Sequence, residues 1–166
     1  MPEHYQRIKR EYETLQGDSV PLFRVILGAA TEIGMPAALA HLERCVTEKR
    51  LAWLHANRGE ARIEHDPVTD GYMWFFERYL GLSVPQDGEI VEHTGSRMLM
   101  RWWNPCPTLE ACRRLGLDTR EVCRRAYQQP VEAFLQQIHP GLRFGRDYAR
   151  LRPYGACCEE YLTLVG

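Results

Sequence analysis

The stretch that decides the fold covers residues 89–103 and reads EIVEHTGSRMLMRWW. Two runs rich in β-type residues, Glu89–Thr94 and Arg97–Trp103, flank the dipeptide Gly95-Ser96. A short glycine-containing connection between such runs predicts a β-hairpin. Along the second run methionine, methionine and tryptophan alternate with leucine, arginine and tryptophan, so one face of the hairpin is apolar and the other is mixed.

A second hairpin is predicted near the C-terminal end of the sequence. The runs Leu142–Leu151 and Cys157–Val165 bracket residues 152–156, which read RPYGA and are rich in turn formers. Together the two hairpins predict an antiparallel sheet of about four strands.

The sequence before the first hairpin has helical periodicity. Apolar residues recur at helical spacing from Pro2 to Gln16, in a second stripe that starts after Ser19, and again from Pro36 to about Asn57. We expect Ser19 to cap the second helix. We also expect Gly34-Met35-Pro36 to kink or break the helical run, because proline lacks a backbone donor.

Three further helices are expected. An aromatic-rich helix is capped by Asp66 and ends at Gly81, and a short helix runs from about Thr108 to Leu115. A longer helix follows a capping box at residues 118–121, is interrupted by Pro130 and stops before residue 139.

This order of elements predicts an α+β fold in a single domain, residues 1–166. A helical N-terminal half, residues 1–82, is expected to pack with the second half, residues 87–166. The second half contributes the sheet of about four strands, built from two hairpins, and two further helices.

Composition narrows the classes of partner. The chain has 45% hydrophobic and 26% charged residues, typical of a globular protein, and 21 basic against 22 acidic residues give a net charge of -1. Such a balance predicts neither nucleic acid nor a membrane as a partner. The partners that we expect are a small-molecule substrate and, in a possible homo-oligomer, a second copy of the chain. Because no signal-like or membrane-spanning apolar run is visible, we expect a cytoplasmic protein with reduced thiols.

Five of the six cysteines fall after residue 105: Cys106, Cys112, Cys123, Cys157 and Cys158. Cys106 lies between two prolines and just before a helix start, where a partly positive helix end favours the thiolate of a nucleophile. Cys123 lies near the start of the longer helix and has the same possible advantage. The alternatives are a loop thiol without a task for Cys106 and simple packing for Cys123.

The adjacent pair Cys157-Cys158 opens the last predicted strand, so the two sulfurs are expected on opposite faces. If the ends of the elements converge, Cys106, Cys123 and one of this pair are enough sulfurs for zinc or for part of an iron–sulfur cluster. The sequence contains no Cys-x-x-Cys, the common local clasp for either metal, and no metal ligand set is therefore predicted.

Two other groups of polar residues are candidates for a site. Glu92 or His93 on the first hairpin is able to act as a general base, although either fits an exposed edge position equally well. Arg146 and Arg150 flank Tyr148, and this arrangement is able to hold a small carboxylate. The alternative for the arginines is a charged solvent-facing surface.

Several short motifs of the C-terminal half belong together: Asn104-Pro105-Cys106-Pro107 closing a strand, Cys123 early in the next long helix, Pro140 before a strand, and Gly155 followed by Cys157-Cys158 opening the last strand. With these motifs the segment from about Glu92 to Leu164 resembles the L-2-amino-thiazoline-4-carboxylic acid hydrolase family. It is also distantly similar to vinyl-reductase-type ligand-binding domains, which share a late strand with glycine followed by cysteine.

The resemblance implies a small-molecule hydrolase that opens a C–N bond of a cyclic amidine or related small carboxylate. The expected site residues fall into two groups: catalytic Cys106, Glu92, His93 and Cys123, and substrate-binding Asn104, Arg146, Tyr148, Cys157 and Cys158. The alternative is a non-catalytic cysteine-rich module that binds or senses a small molecule or a metal. In that case zinc or iron would be held through Cys106, Cys123, Cys157 or Cys158.

Overall fold

A computed structural model of the chain describes residues 3–59 and 63–166. Its elements in chain order are α1 (Glu3–Glu13), α2 (Val20–Ile33), α3 (Met35–Arg58), α4 (Pro67–Tyr72), β1 (Gly88–His93), β2 (Arg97–Trp102), α5 (Pro107–Leu115), α6 (Thr119–Val122), α7 (Gln128–Ile138), β3 (Leu142–Arg146) and β4 (Cys158–Leu164). Two π-helical segments, Met73–Tyr79 and Cys123–Tyr127, follow α4 and α6. The predicted α+β class, with an antiparallel four-stranded sheet, is confirmed.

The chain divides into two compact units. The helical unit consists of the described residues of Met1–Glu48 and of Cys106–Pro130, and the sheet unit consists of those of Lys49–Pro105 and Val131–Gly166. This division differs from the predicted halves, because residues of α5 and α6 share a buried apolar cluster with α1, α2 and the first part of α3. Whether the chain behaves as a single domain stays a prediction.

The starts and ends of the first helices follow local backbone chemistry. The predicted start at Pro2 lies outside the described residues. The predicted cap at Ser19 is wrong: its side chain makes no capping bond, and Asp18 Oδ1 accepts from the Val20 N–H at 2.9 Å instead. The predicted break is confirmed, since α2 ends at Ile33 and Gly34 adopts a φ of 85°.

The caps of the later helices were partly predicted. Asp66 caps α4 by accepting from the Thr69 N–H at 3.0 Å, as expected. At the predicted capping box, Asp118 caps α6 as expected by accepting from the Arg120 N–H at 2.8 Å. The interruption at Pro130 is wrong: α6 continues through the second π-helical segment into α7, and this wider turn lies just ahead of the proline that lacks a donor.

The sheet has the strand order β1-β2-β4-β3, and every pair is antiparallel. Its inner face is defined by the alternating positions that are buried in the core of the sheet unit: Met98, Met100, Trp102, Leu142, Phe144 and Leu162. The helices of this unit supply the rest of that core through aromatic rings, chiefly Phe75, Phe76 and Phe134. The predicted apolar face of the second run, now β2, is therefore confirmed, whereas β1 is exposed beyond Gly88.

The second hairpin is confirmed as a pair of strands, but its bounds differ from the prediction. The strand predicted to reach Leu151 ends at Arg146, because Asp147 Oδ1 accepts the Ala149 N–H at 3.1 Å and turns the chain. The last strand begins at Cys158 and ends at Leu164. No helix in residues 3–59 or 63–166 has the length and apolarity that a membrane crossing requires.

Candidate functional site

Cys158 lies at the end of the inner face of the sheet. It is the first residue of β4 and pairs in register with Trp102 of β2. Its side chain is half-buried and packs against the core of the sheet unit. Leu162, four residues further along β4 and on the same face, is fully buried in that core.

A guanidinium group contacts the Cys158 thiol. Arg152 Nε donates to the sulfur of Cys158 at 3.3 Å. The same side chain donates from Nη1 to the backbone oxygen of Asn104 at 2.7 Å and from Nη2 to Asn104 Oδ1 at 3.4 Å. We call Asn104, Arg152 and Cys158 the thiol cluster. It joins two residues that the sequence predicted for the site with one that it did not.

The loop between β3 and β4 positions Arg152. Leu151 is buried, and its carbonyl oxygen accepts from the Tyr154 N–H at 2.8 Å and from the Gly155 N–H at 3.3 Å, which closes a tight turn around Arg152. Gly155 is required here, because a Cβ at this position would collide with the carbonyl oxygen of Arg150. The local turn therefore presents the arginine toward the start of β4.

Trp102 is the inner-face neighbour of the thiol cluster. It is 2% exposed and stacks on Phe76 with ring centroids 5.3 Å apart and on Tyr72 at 6.5 Å. Burial, with a further contribution from the charge of Glu77, raises the pKa of Tyr72 to about 12, so this phenol stays protonated at neutral pH. The cluster thus borders an aromatic layer.

The next inner-face position carries a buried ion pair. Arg146 Nε lies 3.0 Å from Glu160 Oε1, and the two side chains are only 10% and 11% exposed. The Arg146 guanidinium also lies 5.8 Å from the ring centroid of Tyr148. The two residues predicted to bind a substrate carboxylate are therefore close to each other, and the carboxylate that Arg146 holds in this structure belongs to the protein.

Arg150 and Cys157 belong to a charged group near the start of β4. Arg150 pairs with Asp147 at 2.8 Å and with Glu159 at 3.6 Å, and Glu159 also pairs with Arg101 at 3.1 Å. The pKa of Arg150 is raised, chiefly by Asp147, with a smaller contribution from Cys157. Cys157 is half-buried, and its sulfur lies within electrostatic range of this group.

Glu92 and His93 contact other residues than the thiol cluster. Glu92 pairs with Arg97 at 3.3 Å on an exposed part of the sheet. His93 Nε2 lies 2.9 Å from Thr69 Oγ1, which itself donates to Asp66 Oδ2 at 2.7 Å. Although burial alone would raise it, these hydrogen bonds from Thr69 hold the pKa of Asp66 below its ordinary value. Both predicted bases are exposed and partnered at the surface.

The remaining predicted thiols lie in the helical unit. The sulfur of Cys106 is the N-cap of α5 and accepts from the Leu109 N–H at 3.5 Å. Cys123 opens the second π-helical segment and is half-buried. Cys112 is 1% exposed, and burial, with smaller contributions from Cys123 and Cys106, raises its pKa to about 12. The predicted convergence of these sulfurs with Cys157 or Cys158 stays a prediction.

The helical unit also contains an open depression of about 470 Å³. It is lined by charged residues, Asp118, Arg120, Glu121, Arg124 and Arg125. Asp118 pairs with Arg120 at 3.0 Å and Glu121 with Arg125 at 3.4 Å, so its charges are largely balanced locally. Because the lining is charged and open to solvent, this depression lacks the apolar enclosure typical of small-molecule sites.

Sequence reasoning missed Arg152 and Glu160. Glu160 shares the parity of Cys158 along β4, so alternation alone was a signal that this carboxylate faces inward. Arg152 left no such signal, because it lies in a loop. Across the two described stretches, 3–59 and 63–166, no group of three or more His, Cys, Asp or Glu side chains is arranged to hold a metal ion.

Comparison of the chain with protein-family models, with curated proteins and with solved structures finds no match. The fold and the site therefore define its class by themselves: an α+β protein with a half-buried thiol held against a guanidinium at the end of an antiparallel sheet.

Proposed function

We propose that the chain is a small-molecule hydrolase that opens a C–N bond of a cyclic amidine or a related small carboxylate, with Cys158 as the reactive thiol. The observation that carries this proposal is the 3.3 Å contact between Arg152 Nε and the sulfur of Cys158. It is supported by the resemblance of the C-terminal half to the thiazoline-carboxylate hydrolase family, since Asn104 and Cys158 both belong to the motifs of that resemblance.

The chemistry follows from the charge beside the sulfur. A guanidinium N–H that donates to sulfur interacts more strongly with a thiolate than with a neutral thiol, and the thiolate is the nucleophilic form. Asn104 accepts hydrogen bonds from Nη1 and Nη2 of the same guanidinium. These bonds keep Nε of Arg152 directed at the sulfur of Cys158. Arg152 and Asn104 are thus proposed as the residues that orient and activate the thiol.

The proposed reaction has two steps. The Cys158 thiolate adds to the amidine carbon and forms a C–S bond; the C–N bond then breaks, and the departing nitrogen takes a proton from water. The hydroxide left by that water attacks the thioimidate carbon, the C–S bond breaks, and the ring-opened amide is released as the Cys158 thiolate is regenerated. The sum is the addition of one water molecule across the C–N bond.

This proposal moves the nucleophile from Cys106 to Cys158. The sulfur of Cys106 accepts a backbone N–H at the start of α5, which is the task of an N-cap. Cys158 instead contacts a full positive charge. The proposed setting is the cytoplasm, where glutathione keeps such a thiol reduced.

A second function, binding or sensing without turnover, is favoured by one feature of the same site. Within the part of the chain that the structure describes, the side chain that hydrogen-bonds the sulfur of Cys158 is an arginine, and neither a carboxylate nor an imidazole does so. Hydrolysis generally uses a positioned proton carrier. A site without one is suited to holding a ligand.

The test uses the full chain and 2-aminothiazoline-4-carboxylate as the probe. Conversion is followed by mass spectrometry as the gain of one water molecule. We expect Cys158→Ser to lower the rate at least about 100-fold, because a hydroxyl without a base is a poor nucleophile. Arg152→Gln is expected to lower it about tenfold, since the charge beside the sulfur is lost.

Cys106→Ser is the matched control and is expected to change the rate less than about twofold, because it retains a capping acceptor. Loss of conversion in Cys106→Ser with full conversion in Cys158→Ser would show that the nucleophile is Cys106 and not Cys158. Binding of the probe by calorimetry without any conversion in the unsubstituted chain would favour the binding module over the hydrolase.

A further inference from the structure

Among residues 3–59 and 63–166, no group hydrogen-bonds the indole N–H of Trp102, although this N–H is fully buried. A buried donor without an acceptor costs about 1–3 kcal/mol. Native proteins therefore leave few such groups, and each one calls for a partner such as a ligand or a water molecule. In the same chain the neighbouring Trp103 illustrates the ordinary case, since its Nε1 donates to the Gln86 backbone oxygen at 2.9 Å.

The orientation of the indole is fixed by its neighbours. A Cβ at Gly88 would collide with Cε3 of Trp102, so that edge of the ring lies against β1. In an indole, Nε1 is on the side of the ring opposite Cε3. The N–H edge is therefore turned away from Gly88 of β1, and β2 lies between β1 and β4 in the sheet.

The position of Trp102 places this donor beside the thiol cluster. Trp102 and Cys158 are register partners on neighbouring antiparallel strands, and such partners have Cα atoms about 4.5–5.5 Å apart. Arg152 contacts the sulfur of Cys158 from the loop that precedes β4. A half-buried thiol, a positive charge and an N–H that no described residue accepts thus occupy one end of the sheet.

We infer that Trp102 is the specificity-determining residue of this site, and that its Nε1 donates to a carboxylate oxygen of the small molecule that reacts at Cys158. The inference rests on the proposed function and narrows its substrate to carboxylates. An anionic acceptor fits better than a neutral one, because hydrogen bonds to charged groups are the stronger ones and Arg152 supplies the countercharge. Phe76 and Tyr72 hold the indole in place by stacking on it.

The test compares two alkylating reagents on the full reduced chain, iodoacetate and iodoacetamide. Both react by attack of the thiolate on the CH₂ carbon, with C–S bond formation and release of iodide, and they differ in a carboxylate against a neutral amide. The ratio of their rates at Cys158 is measured by peptide mass spectrometry and divided by the same ratio for the urea-unfolded chain. We expect this quotient to be at least about tenfold above one, the size expected of a charge-assisted hydrogen bond.

The variant Trp102→Phe keeps an aromatic ring and removes the N–H, and it is expected to return the quotient to within about threefold of one. Trp103→Phe removes an indole N–H that already has a partner, and it is expected to leave the quotient unchanged. A quotient near one in the unsubstituted chain, or an undiminished quotient in Trp102→Phe, overturns the inference.

A second measurement does not depend on the folding of a core variant. In the unsubstituted chain labelled with ¹⁵N, sodium propionate is expected to move the Trp102 indole proton resonance downfield while that of Trp103 stays in place. An unmoved Trp102 resonance means that only water satisfies this donor and overturns the inference. Failure of the hydrolase proposal is recognised separately, as absent conversion of the thiazoline probe alongside a Trp102-dependent alkylation quotient.

Discussion

The cysteines of the helical unit and those of the sheet unit have different neighbours. In the helical unit the sulfur of Cys106 accepts a backbone N–H at the start of α5, and Cys112 is sealed in the apolar core. In the sheet unit the sulfur of Cys158 is half-buried and contacts the guanidinium of Arg152. Cysteine therefore has three roles in this chain: Cys106 caps a helix, Cys112 packs in the core and Cys158 contacts a charge.

Burial and a neighbouring positive charge have opposite effects on the stability of a thiolate. Burial in apolar surroundings penalises the thiolate, whereas a neighbouring cation stabilises it. Cys112 is sealed in the apolar core, whereas the half-buried sulfur of Cys158 contacts the guanidinium of Arg152. The positions of the cysteines in the sequence do not distinguish these cases, because they specify neither the burial of a thiol nor the charge beside it.

The largest effect that this comparison predicts is a difference in alkylation rate. Because the pKa of Cys112 is about 12, only about one molecule in ten thousand carries its thiolate at pH 8. We expect iodoacetamide to modify Cys158 at least about 100-fold faster than Cys112 in the folded chain at that pH. The rates are measured for each cysteine-containing peptide by mass spectrometry after quenching.

The control for this prediction is the same reaction in concentrated urea, where both thiols are exposed and their rates are expected to agree within about threefold. Equal rates in the folded chain would mean that the core around Cys112 opens readily, and the contrast between the two units would then be lost.

A smaller effect concerns the stability of the chain at high pH. The pKa of Cys112 rises from 9.0 to about 12 on folding, so folding favours the neutral thiol. This contribution is complete below pH 9 and is lost as the pH rises from 9 toward 12. At pH 10 we expect the free energy of unfolding to be lower by about 1 kcal/mol from this group.

Urea unfolding at pH 8 and at pH 10 under reducing conditions measures this loss. The Cys112→Ala variant is less stable at pH 8 because of the cavity that it leaves, but its decline between the two pH values is expected to be about 1 kcal/mol smaller. An identical decline in the variant would show that the Cys112 thiol is not protected from ionisation by the core.

Much of the fold could be predicted from the sequence, because its helices and strands depend on local patterns of residues. Alternation along residues 97–102 predicted the inner face of β2, and Asp66 before a proline predicted the start of α4. The Ser19 cap failed because Asp18, one residue earlier, offers a competing acceptor for the same backbone. Errors of this kind arise where two neighbouring residues are chemically able to do the same task.

Less of the candidate site could be predicted from the sequence, because its contacts join residues that are far apart along the chain. Arg152 and Asn104 are 48 positions apart in sequence, and only the pairing of β2 with β4 brings the segments that carry them together. Likewise, Arg146 was expected to hold a substrate carboxylate, and only the register of β3 with β4 places Glu160 across from it. Periodicity identifies faces, whereas partners across strands depend on register.

The smallest predicted effect tests the capping role of Cys106. Its backbone is extended, with φ −128° and ψ 109°, as an N-cap requires, and serine is a better capping residue than cysteine. We expect Cys106→Ser to leave the free energy of unfolding unchanged or to raise it by about 0.5 kcal/mol, and Cys106→Ala to lower it by about 0.5 kcal/mol or more. Both are measured by urea unfolding at pH 7. If serine destabilised the chain as much as alanine, packing and not the capping bond would account for the contribution of Cys106. The contrast between a thiol that caps a helix and a thiol that contacts a charge would then not apply to Cys106.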